Sequence, residues 1–397
     1  MHVLILSAFS QGKNAGDTTF YKSRKLKFEE ANFVSGYYHQ DGNNSAVTGG
    51  IGTEKLNDFA NTIELKFSAY GRRLKHNLNL EVGIDHYTSA SSDKIDPSTG
   101  SRFHTTSPSY SDTRFYPSVG WSVQNEKTKT TVGANLSFSE EFDYTSRGIG
   151  VNFTKTSKNN NTEFSAKLQA YFDTWAVIYP AELRTSVRVY DDDNNGIQGY
   201  EPRNSFSGSV SLAQVVNKNL QLMIITEPTH QQGLLATKYQ RVYFNDGSLQ
   251  AENLPGTRTK LPVGIRANYF LADKFILRSF YRYYQDNWGV KAHTVEFELP
   301  VKLSPFVSVS PFYRFYAQTA ANYFAPYGQH TPNEVFYTSD YDLSKFNANY
   351  FGANFRLVPA SGLLGLQHFH SVEVRFGHYL RSDGLNANQI SLHLQFK

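Results

Sequence analysis

The chain has 397 residues and a formal net charge of +4, and charge so nearly balanced excludes the strongly basic surface of nucleic-acid-binding proteins. It has no cysteine, which excludes disulfides, thiolate metal sites and a cysteine nucleophile. Its 26 Tyr and 30 Phe favour β-strands, and such residues also form the interfacial girdles of membrane barrels.

The N-terminal stretch "MHVLILSAFSQGKN" resembles the end of a secretion signal, because an apolar run is followed by a small-x-small triplet at residues 8–10. We therefore expect residues 1–10 to be a residual signal peptide and residues 11–30 a periplasmic leader. The remaining residues, 31–397, then form a single domain. The alternative for the first residues is a short apolar strand.

Apolar and polar residues alternate along most of the sequence. In "NTIELKFSAY", Ile63, Leu65 and Phe67 fall on one side, and Glu64 and Lys66 fall on the other. The same period of two recurs in "NLNLEVGI", "FSAKLQAYF", "HTVEFELPV" and "ISLHLQF". This alternation predicts β-strands with one apolar and one polar face, and no long stretch has a helical period.

The connections between these runs differ in length. The turn-forming sequences "NEK", "KNNN", "NKN", "ADK" and "KLS" make tight connections. Between them lie long polar connections, which are residues 41–61, 86–113, 174–203, 227–260 and 319–345. This arrangement predicts an all-β transmembrane antiparallel up-and-down β-barrel with short periplasmic turns and long extracellular loops.

We count seventeen candidate strands, of which "KYQRVYF", beginning at Lys238, falls inside a long connection. Without it, about sixteen strands remain, and an even number puts both termini on the periplasmic side. A soluble sandwich or propeller is the alternative. The polar faces argue against it, because charged residues such as Glu64 and Arg278 would cost several kcal/mol each in a dry core.

Longer motifs resemble a known family. These motifs are "AVTGGIGTEKL", "LPGTRTKLPVGIRANYF", "SPFYRFYAQTAANYFAPYGQHT" and "FYTSDYDLSKF". Together with "EFSAKLQAYFDTWAVIYPAELR" and "GHYLRSDGL" they cover the chain from about Ser35 to its end. They resemble an uncharacterised family of Gram-negative outer-membrane barrels, known as domain of unknown function 3570.

The resemblance implies a fold and a location, the outer membrane of a Gram-negative bacterium, but no settled activity. Genes of this family often lie beside genes for a small lipoprotein, a thioredoxin-like protein and a flavin-transferring enzyme. The resemblance therefore implies an envelope redox or export setting. We expect outer-membrane lipids to surround the barrel and a small lipoprotein or a periplasmic thioredoxin-like protein to be a partner, with no nucleic acid involved.

Charged residues are concentrated on the polar faces of the C-terminal strands. The alternation predicts that nine of them face the barrel lumen, namely Arg266, Arg278, Arg282, Arg314, Arg356, Arg375, Glu296, Glu298 and Glu373. Such a set either favours the passage of anions or forms ion pairs across the wall without a role in transport.

The glycine-rich stretch "TGGIGTEK" lacks the spacing of a phosphate-binding loop, and no helix follows it. We expect Gly49, Gly50 and Gly52 to let an external loop fold tightly. Histidines invite an enzyme hypothesis, because His293, His330 and His378 map near external strand ends. No nucleophile motif accompanies them, however, and together with His39 they lack metal-ligand spacing. We expect no enzymatic activity.

The stretch "VYDDDNNGIQGYEP" resembles the beginning of a calcium loop. Asp191, Asp193 and Asn195 occupy its first, third and fifth positions, and Gly196 occupies the sixth. The glutamate required at the twelfth position is absent, because that residue is Pro202. The stretch is either a weak calcium site or a solvated turn, and we expect no other cofactor.

Two functions remain open after these observations. The first is a pore or channel component of an envelope assembly. The second is a structural barrel whose lumen is plugged by its loops and which anchors a periplasmic lipoprotein or a redox or export partner. An outer-membrane hydrolase is a third alternative.

Overall fold

The computed structural model describes residues 25–71, 73–88, 111–184, 197–272 and 274–397. Eighteen strands form one antiparallel sheet, and their bounds are as follows: β1 (Lys27–Asp41), β2 (Leu56–Tyr70), β3 (Leu74–Thr88), β4 (Ser111–Asn125), β5 (Thr130–Glu140), β6 (Tyr144–Thr156), β7 (Thr162–Ile178), β8 (Ile197–Val215), β9 (Leu220–Thr226), β10 (Thr229–Gly233), β13 (Thr257–Leu271), β14 (Phe275–Asp286), β15 (Lys291–Glu298), β16 (Val301–Lys302), β17 (Val307–Gln318), β18 (Phe346–Leu357), β19 (Phe369–Arg381) and β20 (Asn386–Phe396).

Outside this sheet, β11 (Arg241–Tyr243) and β12 (Leu249–Ala251) form a separate hairpin. Four 3-10 turns complete the regular structure of the described residues, at Ala46–Thr48, Ala181–Leu183, Tyr341–Leu343 and Leu363–Gly365. Within the same part of the chain, no helix is long and apolar enough to cross a lipid bilayer.

Proline interrupts two of the strands. Pro228 separates β9 from β10, and Pro300 separates β15 from β16, because proline has no N–H group to donate to the sheet. Each pair of segments serves as one strand of the wall. The eighteen segments therefore make a wall of sixteen strands, and the predicted fold class is confirmed.

The sheet closes on itself. β1 pairs with β2 on one side and with the last strand, β20, on the other, in an antiparallel register that runs from Ala31 opposite Phe396 to Asp41 opposite Asn386. Closure leaves no free sheet edge, which a strand structure requires inside a membrane. β1 begins at Lys27, whereas we predicted a boundary at residue 31. The wall starts earlier because Phe28 packs against Phe67 of β2 and Glu30 pairs with Lys66.

The two faces of the wall are told apart by one long-range contact. Arg375 of β19 lies 3.5 Å from Glu298 of β15, although β17 and β18 stand between these strands. Side chains so far apart around the wall can meet only across its concave side. Their face is therefore the inner face, and the alternate residues point outward.

Large apolar side chains cover the outer face and remain uncovered by protein. Ile63, Val82 and Leu168 are 50%, 47% and 63% exposed. A soluble protein would bury such a band, whereas a membrane barrel turns it toward lipid. The period of two in the sequence thus reflects two solvents, with lipid outside and polar surroundings inside.

The connections at the two ends of the barrel differ in length, but less regularly than predicted. Long connections lie at one end, here called the loop end, and the chain termini lie at the other, the turn end. Three loop-end connections are nevertheless short, namely 141–143, 287–290 and 382–385, and the turn-end connection 358–368 is longer than its neighbours. The short ones are stabilised by aspartates: Asp286, for example, accepts hydrogen bonds from the backbone N–H groups of Trp288 and Val290.

The predicted strand "KYQRVYF" lies in a loop, as expected. Its residues Arg241–Tyr243 form β11 and pair with β12 above the barrel rather than within the wall. Four loop-end segments, residues 42–55, 179–184, 234–256 and 319–345, pack together and are called the cap below. The described residues form two apolar clusters here: Val242, Phe244 and Tyr337 make one, and in the other Ala236 and Leu254 of the cap pack with Trp288 of the neighbouring short connection 287–290.

Candidate functional site in the barrel interior

One half of the inner face, on β13 to β19, is rich in charge and is called the charged wall. Its side chains form close ion pairs, with Arg278 2.8 Å from Glu298 and Arg314 2.7 Å from Glu296. Looser pairs join Arg356 to Glu373 at 3.7 Å and Arg375 to Glu298 at 3.5 Å. Seven of the nine residues predicted to face the lumen thus form ion pairs, in three separate groups.

These pairs are in contact with water. The side chains of Arg278, Arg314 and Arg356 are 52%, 44% and 47% exposed. Exposed ion pairs stabilise a fold by only about 0–1 kcal/mol, because solvent screens them and the side chains lose freedom. The ion pairs of the charged wall therefore contribute little to the stability of the barrel.

Two arginines of the same wall have no carboxylate partner among the residues that the structure describes. Among the described residues, Arg266 lies over the ring of Phe280, with 5.4 Å between its guanidinium carbon and the ring centre. Arg282 donates only a long hydrogen bond of 3.5 Å, to the hydroxyl of Thr294. Neither forms an ion pair among the described residues, so the nine residues predicted to face the lumen comprise four paired arginines, two unpaired arginines and three glutamates.

The opposite half of the inner face, on β4 to β8, is almost uncharged at mid-height and is called the neutral wall. It lines a cavity of about 530 Å³. The lining consists of amides, hydroxyls, small residues and one lysine, namely Asn79, Ser118, Gly120, Asn135, Asn152, Thr154, Ser165, Ala166, Lys167, Ser209 and Ser211. Sequence reasoning missed this site, although its signal is visible in "VGANLSF" and "GIGVNFT", where glycine, asparagine or a hydroxyl residue occupies every second position.

Glycines on the inner face make room for larger neighbours. A Cβ atom at Gly83 would lie 2.0 Å from the ring of Tyr116, and one at Gly148 would lie 2.7 Å from Tyr171. Each tyrosine stands directly opposite its glycine in the register. The rings therefore lie flat against the wall instead of projecting into the lumen.

The cap is held together by buried polar contacts between loops. Arg241 is 1% exposed, binds the carboxylate of Glu182 at 2.5 Å and donates to the carbonyl of Val47 at 2.9 Å. Gly49 and Gly50 have φ angles of 81° and 85°, a left-handed backbone that glycine adopts without strain. The expected tight folding of this glycine loop is confirmed.

A second set of cap contacts surrounds Glu252. Its carboxylate accepts hydrogen bonds from the backbone N–H of Thr237 at 2.6 Å and from the hydroxyl of Thr338 at 2.5 Å. Burial, together with the charge of Asp340, raises the pKa of Glu252 to about 8. Burial and the charge of Asp342 likewise raise the pKa of Asp340 to about 6. The cap thus holds acidic groups whose pKa values burial raises well above the usual range.

The cap lies directly against the inner wall. Gln318, at the end of β17, donates to the carbonyls of Asp342 and Ser344 in the cap, at 3.0 and 2.6 Å. Asp342 also pairs with Arg381 of β19 at 2.5 Å. Beneath these contacts is a cavity of about 370 Å³, lined by wall residues that include Arg258 and Arg282 and by cap residues Asp342 and Leu343. The cap therefore narrows the interior at the loop end.

The four histidines considered above do not form one site. His330 is buried in the cap, where its ring nitrogens contact Glu334 at 2.6 Å and the carbonyl of Thr338 at 2.9 Å. The other three lie on the outer face near the loop end, where His39 contacts Asn57, His293 contacts Tyr281 and His378 contacts Asn388. His330 thus packs inside the cap, and the other three histidines make pairwise contacts on the outer face of the wall.

Acidic residues do meet at one place that sequence reasoning missed. Carboxylate oxygens of Asp112, Glu141 and Asp143 lie within 4.8 Å of one another at the loop end. Burial, with the charges of Glu141 and Asp112, raises the pKa of Asp143 to about 6. Arg114 and the hydroxyl of Tyr87 contact Glu141 at 3.5 and 2.7 Å, so local donors already compensate part of this charge.

The predicted calcium ligands Asp191, Asp193 and Asn195 lie outside the described residues. The signal peptide expected at residues 1–10 also lies outside them, as does most of the expected leader at residues 11–30.

Several solved structures are similar in shape. OccK9 (OpdG) of Pseudomonas aeruginosa aligns over 94% of this chain and 98% of its own, with a TM-score of 0.41 and 9% identity. OccD3 (OpdP) of the same organism aligns over 96% and 93%, with a TM-score of 0.45 and 9% identity. A mutant ferric enterobactin receptor, PfeA, also from that organism, aligns over 89% of this chain and 54% of its own, with a TM-score of 0.49 and 11% identity.

No curated protein matches the sequence. A family described as a protein of unknown function, DUF3570, matches residues 92–391. This match covers most of the chain and confirms the resemblance carried by the sequence motifs. The chain therefore belongs to the DUF3570 family.

Proposed function

We propose that this barrel is a water-filled channel of a Gram-negative outer membrane that passes small solutes and favours anions. The observation that carries the proposal is the charged wall, where the nine residues predicted to face the lumen are six arginines and three glutamates and where Arg266 and Arg282 have no ion pair among the described residues. A low-dielectric wall concentrates the field of such an excess charge in the lumen. Anions therefore accumulate there and cations are depleted.

The exposure of the wall supports passage through water. A sixteen-stranded barrel leaves an aqueous channel unless its loops fill it. Arginine side chains about half exposed inside the barrel are hydrated. The cap then acts as a constriction at the loop end, and its contacts with Gln318 and Arg381 hold it over one side of the interior.

Conductance through a planar bilayer tests the proposal. The purified chain is inserted between chambers that hold potassium chloride at two concentrations, and the reversal potential is measured. We expect discrete conductance steps and a reversal potential whose sign shows that chloride permeates more readily than potassium. A closed barrel or a preference for potassium would overturn the proposal.

Two variants locate the selectivity. The double substitution Arg266→Gln and Arg282→Gln removes the two unpaired charges, and we expect it to move the reversal potential toward zero. Arg147→Gln is the matched control, because Arg147 stands opposite Phe138 and Phe172 on the outer face. An equal shift in both proteins would assign the effect to overall charge rather than to the lumen.

A second candidate function is a docking barrel that anchors a periplasmic lipoprotein or a thioredoxin-like redox partner. The turn-end connection 358–368 favours it, because Leu364 and Leu366 are 90% and 60% exposed there. Exposed leucines on a connection longer than its neighbours are typical of a contact surface. Copurification from native membranes tests it. A stoichiometric partner that is lost in Leu364→Asp would support docking, and a barrel that purifies alone would not.

A further inference from the structure

The cavity in the neutral wall is shaped by glycines that alternate with asparagines across the strands. Asn135 of β5 stands between Gly120 of β4 and Gly150 of β6 in the register. A Cβ atom at Gly150 would lie 2.4 Å from the Oδ1 atom of Asn135. The amide occupies space that any other residue at position 150 would fill.

A second row repeats the arrangement one step along the barrel. Asn152 of β6 stands between Gly133 of β5 and Lys167 of β7, and Lys167 stands opposite Ser209 of β8. A Cβ atom at Gly133 would lie 2.6 Å from the Oδ1 atom of Asn152. Two rows of amides thus follow the wall, with one ammonium group at the end of the second row.

Several polar side chains of this cavity have no partner among the described residues, although Thr154 and Ser165 of the same lining are bonded to each other at 3.2 Å. In the part of the chain that the structure describes, the side chains of Asn135, Asn152 and Lys167 form no hydrogen bond with another protein group, and Lys167 has no ion pair. Their hydrogen-bonding capacity is available to water or to a solute, and buried polar groups are usually satisfied.

The charged wall differs in this respect, because its carboxylates are already bound by arginines. Glu298, for example, accepts from both Arg278 and Arg375. The cavity of the neutral wall has no aspartate or glutamate in its lining. An amide offers donors and an acceptor together, as a hydroxyl group does, and a single ammonium attracts a single negative group.

We propose that this cavity binds a polyhydroxylated monoanion of the sugar-acid class. Lys167 binds the carboxylate, and Asn135 and Asn152 exchange hydrogen bonds with the hydroxyl groups. The volume of about 530 Å³ falls within the range of roughly 300–1,000 Å³ that is usual for small-molecule sites. The inference rests on the proposed channel for the route by which the solute arrives, and it names a solute class for that channel.

Binding is measured by calorimetric titration of the purified full chain in detergent, with D-glucuronate, D-glucose and acetate as probes. We expect D-glucuronate to bind about tenfold more tightly than D-glucose, because one charge-assisted hydrogen bond is gained. Acetate lacks the hydroxyl groups, and we expect no measurable binding of it. Equal binding of all three probes, or of none, would overturn the inference.

Variants distinguish the roles of the residues. Lys167→Gln should make D-glucuronate bind no better than D-glucose, while the affinity for D-glucose stays unchanged. The double substitution Asn135→Leu and Asn152→Leu should weaken both sugars at least tenfold. Lys302→Gln and Asn204→Leu are the matched controls, since Lys302 lies at the turn end and Asn204 on the outer face opposite Phe172. Sugar binding that survives the double substitution would overturn the inference.

The channel proposal and this inference fail separately. A barrel that conducts chloride in preference to potassium but binds no D-glucuronate retains the channel and loses the sugar-acid site. A barrel that binds D-glucuronate through Lys167 but does not conduct loses the channel and retains the site.

Discussion

The cap and the barrel wall use charge in opposite ways. In the cap, Arg241 and Glu252 are almost completely buried and each has defined partners. In the wall, Arg278 and Arg314 remain about half exposed although both are paired. A buried ion pair fixes one geometry because loss of either partner leaves an uncompensated charge, whereas an exposed pair does little for stability. The comparison predicts a rigid cap and, under the proposed function, a hydrated interior.

The largest effect is expected from breaking the cap at Arg241. Arg241→Ala leaves Glu182 and the carbonyl of Val47 without their donor. Removing one partner of a buried pair costs about 3–5 kcal/mol, so we expect the cap to open and its loops to be cleaved rapidly by added protease. The barrel itself should keep its heat-modifiable mobility in SDS gels. Arg241→Lys is the control, which keeps the charge but loses the bidentate contact, and cleavage of Arg241→Ala at the wild-type rate would contradict the prediction.

The next largest effect is expected on the stability of the barrel, and it distinguishes the outer face of the wall from the inner face. Leu168 is 63% exposed on the outer face, and Leu168→Lys places a charge in lipid at a cost of about 2–4 kcal/mol. Gln169→Lys, one residue further along, places the same charge on the inner face, where Gln169 stands opposite Gly150. Urea unfolding in lipid vesicles should show a marked loss of stability for the first variant and little for the second. Equal losses of stability would mean that the outer and inner faces do not contact different solvents.

This contrast also explains how far the sequence could be interpreted. The alternation of Ile63, Leu65 and Phe67 with Glu64 and Lys66 predicted the wall, because the membrane imposes two solvents on neighbouring residues. The run at Lys238 falls inside a long connection, and the even strand count also excludes it from the wall; the structure places it in that loop. Local pattern and an even strand count were therefore sufficient for the barrel.

The candidate sites were harder to predict, because they depend on contacts between distant positions. Arg241 meets Val47 across 194 positions of sequence, and no local pattern predicts this contact. The neutral wall escaped notice because asparagine, serine and glycine carry no charge and resemble turn residues. Only the register, which sets Asn135 between two glycines, turns these residues into a cavity.

A smaller effect is expected from pH, and it acts on the cap. Burial raises the pKa of Glu252 to about 8, of Glu54 to about 7 and of Asp340 to about 6. In an opened cap these groups ionise near their usual pKa of about 4. The stabilisation of the closed cap by these protonated carboxyl groups is therefore complete below pH 4, and it is lost as the pH rises toward 8. We expect cap cleavage, normalised to an unstructured peptide at each pH, to be about tenfold faster at pH 8 than at pH 5.

Glu252→Gln tests the assignment of this pH dependence. The amide keeps the shape and cannot ionise, so cleavage at pH 8 should be slower and the pH profile flatter than in the wild type. Asp246→Asn is the control, because Asp246 is exposed in the same loop and hydrogen bonds from Ser248 lower its pKa, so that it does not titrate between pH 5 and 8. Parallel profiles for Glu252→Gln and the wild type would remove Glu252 as the cause.

The smallest effect on stability is expected at the charged wall. Arg278→Ala removes a half-exposed partner of Glu298, but Glu298 keeps Arg375 at 3.5 Å, and we expect a change below about 1 kcal/mol in the free energy of unfolding in vesicles. The same variant should lower the preference for chloride over potassium, because one positively charged side chain has been removed from the lumen. If Arg278→Ala instead destabilised the barrel as strongly as Arg241→Ala destabilises the cap, its charge would be buried rather than hydrated. A dry interior of that kind would exclude solutes, so this measurement tests the hydrated interior on which the channel depends.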